Sequence, residues 1–240
     1  MKLHTQLDHD GYIPTVIRVT PAKVHDMVEG RKFSFHPGDT LLFDRGYFDS
    51  GWFQQLNDKR INFVTRIKSN VLFEWTERRN CDRKAGILGD WIGTLGGSCG
   101  EKCKAPLRMI RYRDPETGKE LEFLTNLLDI NAKVVADLYR ERWQIELFFK
   151  WVKQNLKIKT YLGTDLNAVL VQVWIAMIAY LLVRMTLQKA PPDAISAQRL
   201  LVFIAARILL ETPINQAWKD FQRTRRKQDD QPGSRTRNTC

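Results

Sequence analysis

With 240 residues, 43% of them hydrophobic and 27% charged, the chain can bury one domain core, or one domain carrying an insertion, and its composition excludes a disordered protein. Thirty-eight Lys and Arg against 27 Asp and Glu leave a formal +11, so an extended polyanion is the partner class to test, although charge alone establishes none. Cys81, Cys99, Cys103 and Cys240 are too few and too irregular for a disulfide framework, and a zinc set built on the first three lacks a nearby histidine. Free thiols in a Gly-rich loop and a reducing cytoplasm are expected.

The N-terminal MKLHTQLDHDGYIPT has no apolar run after its positive residue and does not read as a signal peptide. Leu3, Thr5 and Leu7 alternate, Asp8-His9-Asp10-Gly11 forms a turn, and Ile13, Val16, Ile17 and Val19 follow, which predicts a hairpin. Residues 21–30 open with Pro and close with Gly, as a short helix or turn does. Leu41, Leu42 and Phe43 predict a strand buried on both faces and ended by Asp44; a helix capped by Asp49 or Ser50 then carries Trp52, Phe53 and Leu56, and Ile61, Phe63 and Val64 form another strand.

Residues 71–125 break into short apolar pieces, a Gly-rich stretch and a hairpin around Asp114-Pro115-Glu116-Thr117-Gly118, so a β-rich insertion is expected there. A long helical segment should fill 126–158, with Asn131 as its N-cap. In residues 166–187 the wholly apolar run, Val173 through Val183, is shorter than a bilayer asks for, which predicts a buried core helix rather than a membrane span. The domain plan is thus 1–70 as the first part of a core, 71–125 as the insertion, 126–190 as the second part, 191–219 as a helical segment and 220–240 as a disordered basic tail.

The stretch AKVVADLYRERWQIELFFKWVKQNLK carries the chemistry. On one continuous helix Tyr139, Arg142, Glu146 and Lys153 project at about 0°, 300°, 340° and 320°, beside an apolar stripe of Val134, Leu138, Ile145, Phe149, Val152 and Leu156. Helix geometry alone allows a plain alternative, an i,i+4 ion pair between Arg142 and Glu146 with Lys153 on a solvated basic face. Asp44, at a strand end and followed by Arg45, Gly46 and Tyr47, is open to two readings as well: a catalytic position of an α/β sheet or a turn-capping Asp.

The spacing Tyr139-x2-Arg142-x3-Glu146-x6-Lys153 resembles the Tyr-Arg-Glu-Lys signature of DDE transposases in the family named after insertion sequence four, and the Asp44 motif resembles that family's second catalytic carboxylate. The likeness covers roughly residues 1–185. It implies an α/β, RNase H-like core with the β-rich insertion between the second and third carboxylates. Asp44 and Glu146 would be catalytic and would ligate two Mg²⁺, for which Mn²⁺ can substitute; Tyr139, Arg142 and Lys153 would contact DNA. The implied partners are double-stranded DNA, as terminal inverted repeats and target, and a second copy in a homodimer, with no membrane involved. The implied location is the bacterial cytoplasm, at the nucleoid.

The family's first carboxylate lies on a central strand expected upstream of the hairpin; Asp8 and Asp10 fall in the turn and are assigned no catalytic role. The whole is expected to perform cut-and-paste transposition, and this chain by itself to be inactive. The alternative is a non-catalytic DNA-binding remnant or regulator. Related enzymes stack a tryptophan on an extruded base, a role open to Trp75 or Trp91, against the ordinary use of covering a hairpin core.

Overall fold

A computed structural model describes residues 2–155 and 165–189 of the chain. The expected helical segment 191–219, the basic tail 220–240 with Cys240, and Leu156 lie outside the described residues. The chain divides into two compact units, Met1–Gln154 and Asn155–Cys240.

In the first unit the alternating N-terminal residues form β1 (Lys2–Leu7) and β2 (Pro14–Thr20), an antiparallel pair with Leu3 opposite Val19 and Thr5 opposite Ile17. The Asp8 N–H donates to the Ile13 carbonyl across the turn, where Gly11 and Tyr12 take the left-handed conformation that reverses the chain. A short helix, α1 (Asp26–Gly30), follows.

The remaining strands make one six-stranded sheet: β3 (Thr40–Leu42), β4 (Asn62–Arg66), β5 (Phe73–Arg78), β6 (Ile87–Leu95), β7 (Leu107–Arg113) and β8 (Glu120–Thr125), in the order β3-β4-β8-β7-β6-β5. Only β3 and β4 run parallel; every other pairing is antiparallel. The chain is therefore a mixed α/β protein with a mostly antiparallel sheet.

Period-two alternation gives each face its own core. Phe63, Leu95, Leu107 and Leu124 pack under α2 (Ser50–Asp58) through Trp52, Phe53 and Leu56, with Cys103 beside them after α3 (Gly97–Lys102). Phe53 is fully buried and stacks on Phe63 with ring centroids 4.6 Å apart. On the other face Val64, Ile87, Ile110, Tyr112 and Phe123 pack under α4 (Ala132–Glu141), which contributes Ala132, Val135, Ala136 and Tyr139.

Several expectations need correction. Leu41 and Leu42 do pack against opposite cores, but both are only half-buried, because β3 is an edge strand bonded to β4 alone. Cys99 lies within α3 rather than in a loop. The long helix is two: α4 starts at the expected cap, Asn131, and a second helix, α5 (Trp143–Asn155), follows a break at Arg142, where Arg142 and Ile145 donate to carbonyls three residues back.

That tightened turn shifts the phase of α5 relative to α4, while the side chains of α4 itself are sorted by its own contact with the sheet. Val134 of the expected apolar stripe is exposed, Leu138, Ile145 and Phe149 are half-buried, and the sheet is met instead by the Ala-rich row of α4 ending in Tyr139. Small alanines let the helix approach closely, and the Tyr139 ring packs 4.8 Å from that of Phe123.

The start of α4 is tied down from two sides. The Asn131 side chain accepts from the Lys133 N–H at 2.8 Å, so Asn131→Ala is expected to cost about 1 kcal/mol in urea denaturation. From the sheet, Arg108 makes a two-pronged pair with Asp90, 2.8 and 2.7 Å, and its remaining nitrogen donates to the carbonyls of Leu127, Leu128 and Ile130. Arg79 adds another bond to the Leu128 carbonyl.

In the second unit, α6 (Leu166–Lys189) is continuous past Asn167 and Gln172. It is not buried all round: Val169, Val173, Ala176, Met177, Tyr180 and Val183 are buried along one face, whereas Val171, Trp174, Ile175, Ile178, Leu182 and Met185 are exposed. The 20 residues Asn167–Thr186 are long and apolar enough to cross a membrane, by length and composition, because two polar side chains do not interrupt a helix.

Candidate active site

Parallel strands end where their connections leave the sheet, and side chains just beyond those ends project into open space. Asp44 is such a residue. It follows β3 and Phe43, is exposed, and begins the 3-10 turn Arg45–Tyr47 by accepting the Gly46 N–H on Oδ1 at 2.7 Å. The turn-capping role of Asp44 is thus real, and it occupies one carboxylate oxygen. The other oxygen has no hydrogen-bond partner among the described residues and is available to a ligand.

Tyr139, in the last turn of α4, and Arg142, at the break, lie within electrostatic reach of Asp44. Tyr139, projected beside the apolar stripe, is itself buried in the core under its helix. Burial pushes its hydroxyl pKa up; the Arg142 charge opposes that shift, Asp44 adds to it and Arg66 opposes it. Arg142 lies 5.5 Å from the Tyr139 ring centroid and donates to Glu146 Oε1 at 2.8 Å.

The Arg142 guanidinium is mostly buried, its side chain 17% exposed. Burial by itself would lower its pKa, but the bond to Glu146 and the charges of Tyr139, Glu146 and Asp44 outweigh that and raise it. One guanidinium therefore feels both carboxylates. The structure brings Asp44, Tyr139, Arg142 and Glu146 into one electrostatic group, with the i,i+4 ion pair of the plain reading present inside it. Lys153 is exposed on α5, two helical turns beyond Glu146, and among the described residues no bond ties it to this group.

As metal ligands, Asp44 and Glu146 have the right donor chemistry: oxygen only, exposed or half-exposed, with a free oxygen on Asp44. They form a partial set, since no group of three or more His, Cys, Asp or Glu is gathered among the described residues.

Residues 1–182 match the family described as transposase DDE domain. The chain belongs to the DDE transposase domain family. A protein of Sinorhizobium fredii named as transposase y4zB is 37% identical over 188 residues, 77% of this chain and 52% of its own length. A Geobacillus stearothermophilus protein named as a transposase for insertion sequence element IS5377 is 30% identical over 190 residues, 77% of this chain and 48% of its own length. A Synechocystis protein named as a transposase for insertion sequence element IS4SA is 26% identical over 152 residues, 60% of this chain and 40% of its own. The chain spans about half the length of these curated relatives. DDE transposases act on DNA and are generally dependent on divalent metal ions.

Sequence reasoning missed Arg66, which closes β4 next to the group, and the Asp90–Arg108 pair that anchors the start of α4. A signal existed for each. Arg66 follows the mostly apolar INFVT, Asp90 is the one charge inside a strand that is otherwise apolar or small, and Arg108 follows the inward Leu107 at the start of its strand. Trp75 does not cover a core, being 61% exposed, while Trp91 is half-buried, its ring lying where a Cβ on Gly89 would fall and 5.7 Å from the Arg111 guanidinium. A separate polar cavity of about 490 Å³, lined by Glu77, Arg79, Asp82, Asp90, Arg108 and Asn131, opens at the opposite, N-terminal end of α4.

Proposed function

We propose that this chain is the portion of a cut-and-paste DNA transposase, in the family of insertion sequence four, that bears the second and third catalytic carboxylates, Asp44 and Glu146. The carrying observation is that both act on one mostly buried guanidinium, Arg142, at the break between α4 and α5. In this reading the core is RNase H-like and residues 71–125 are an insertion between its two parts. The unpaired outer edges of β1 and β3 support it, since a strand from elsewhere in the complete protein can join both. The complete protein works as a homodimer on terminal inverted repeats and target DNA, in the bacterial cytoplasm at the nucleoid.

Asp44 and Glu146 would hold two Mg²⁺, which supply a polarised attacking oxygen and stabilise the leaving one in phosphodiester cleavage. Asp44 is held rigidly for this by its bond to Gly46, with one oxygen free. Glu146 would hold the metal while bonded on one oxygen to Arg142, and the Arg142 guanidinium would offer its remaining donors to a DNA phosphate. Tyr139 would steady Arg142 through its ring. Lys153 extends the positive surface along α5 as a point charge on the backbone.

A second reading, a DNA-binding remnant or regulator without catalysis, is favoured by the gathering of only two carboxylates among the described residues. Gel-shift titration of duplexes carrying the element's ends tests the shared element of both: binding should weaken roughly 10³-fold or more between 50 and 200 mM salt. A salt-insensitive or absent interaction counts against both. Mg²⁺-dependent cleavage by the complete transposase polypeptide separates them, and a bound but uncut end favours the regulator.

A further inference from the structure

Arg66 is the last residue of β4, and two registers fix where its side chain goes. In the parallel pair Leu41 stands beside Phe63 and Leu42 beside Val64, and the Phe43 N–H donates to the Val64 carbonyl. Continuing the same offset places Asp44 next to Arg66, at the C-terminal ends of adjacent parallel strands. In the antiparallel pair Arg66 stands opposite Phe123, so it shares the sheet face that Phe123 presents to Tyr139 and α4.

Arg66 forms no ion pair among the described residues, and its Nε is buried without a hydrogen-bond partner. The Nε of Arg142 is in the same condition. An orphaned buried donor is costly, more so on a charged group, and folded proteins rarely keep one without an acceptor to come. Here two lie together, both close enough to act on the Tyr139 hydroxyl. Arg142 is already paired with Glu146, and one Asp44 oxygen is committed to the Gly46 N–H, so what the two guanidinium groups hold in surplus is buried donors, the Nε of each. The ligand that satisfies both is an oxyanion with several acceptor oxygens, and a guanidinium fork matches phosphate.

We infer that Arg66 is a second phosphate-binding arginine of this site, holding one phosphate of the DNA backbone together with Arg142 alongside Asp44. This rests on the DNA-cleaving reading above and adds to it a residue outside the Tyr-Arg-Glu-Lys spacing. Arg66 touches the strand being positioned and takes no part in metal ligation.

The test uses the complete transposase polypeptide and labelled duplexes carrying the ends of the element that encodes it, with Arg66→Gln and Arg66→Lys measured against the parent. Arg66→Gln is expected to keep the parental melting temperature, to bind about tenfold more weakly, and to lower the slope of log affinity against log salt by about 0.9, one phosphate contact. Arg66→Lys keeps a charge but no fork, so the slope should persist while cleavage falls at least about tenfold. Parental affinity and salt slope in a folded Arg66→Gln protein would overturn the assignment. Should Arg66→Gln not fold, Arg66→Lys decides: reduced cleavage at a parental melting temperature supports the role, and parental cleavage refutes it. A parent that neither binds nor cuts the ends overturns the transposase reading itself, and the role of Arg66 with it.

Discussion

Glu146→Gln in the complete transposase polypeptide is expected to reduce Mg²⁺-dependent cleavage of the element's ends roughly 10³-fold while leaving its melting temperature close to the parental one. The side chain is 44% exposed and the bond it accepts from Arg142 can be kept by the amide oxygen, so the fold loses little. The chemistry loses much. A carboxylate that ligates a metal supports several kcal/mol of charge stabilisation in the transition state, and each 1.36 kcal/mol is a factor of ten in rate. Affinity for DNA should fall by far less, or rise slightly, because a negative charge near the phosphates is removed. Cleavage at the parental rate by Glu146→Gln would show that Glu146 serves only as the ion-pair partner of Arg142.

Arg108→Met carries the largest expected cost to folding, about 3–5 kcal/mol in urea denaturation. Both members of the Asp90–Arg108 pair are 3% exposed, so removing the guanidinium strands a carboxylate out of reach of water. It also frees the carbonyls of Leu127, Leu128 and Ile130, which hold the segment entering α4. The double variant Asp90→Leu with Arg108→Met should recover part of the loss, since an apolar pair of similar volume carries no buried charge. A cost below about 1 kcal/mol for the single variant would mean that the pair is hydrated in solution.

The same clamp bears on the site. Tyr139 and Arg142 are placed by where α4 begins and by how closely it lies on the sheet; Arg108 and Arg79 fix the beginning, Ala132 and Ala136 the closeness. A displaced α4 moves Arg142 relative to Asp44, whose strand is fixed independently through β4. Arg108→Met should therefore lower cleavage even in the fraction that remains folded.

Local sequence determined a good deal by itself. The β1–β2 turn, the caps at Asp49 and Asn131 and the turn at Asp114–Gly118 depend on side chains bonding their own near backbone, and these were legible. The apolar Ile61, Phe63 and Val64 likewise marked a strand, and the spacing of Tyr139, Arg142, Glu146 and Lys153 marked the helical region that bears the candidate site.

What the sequence could not decide is whatever depends on residues far apart in the chain. The break at Arg142 looks like continuous helix in propensity, so only the packing of Tyr139 on Phe123 and the fixed start of α4 reveal the shift in phase. The Asp90–Arg108 pair and the apposition of Arg66 with Asp44 require strand registers, which are set by burial across the whole sheet rather than by neighbours in sequence. Charge placed inside apolar strands was visible from the start; which opposite charge, helix or ligand it answers to is a property of the folded sheet alone.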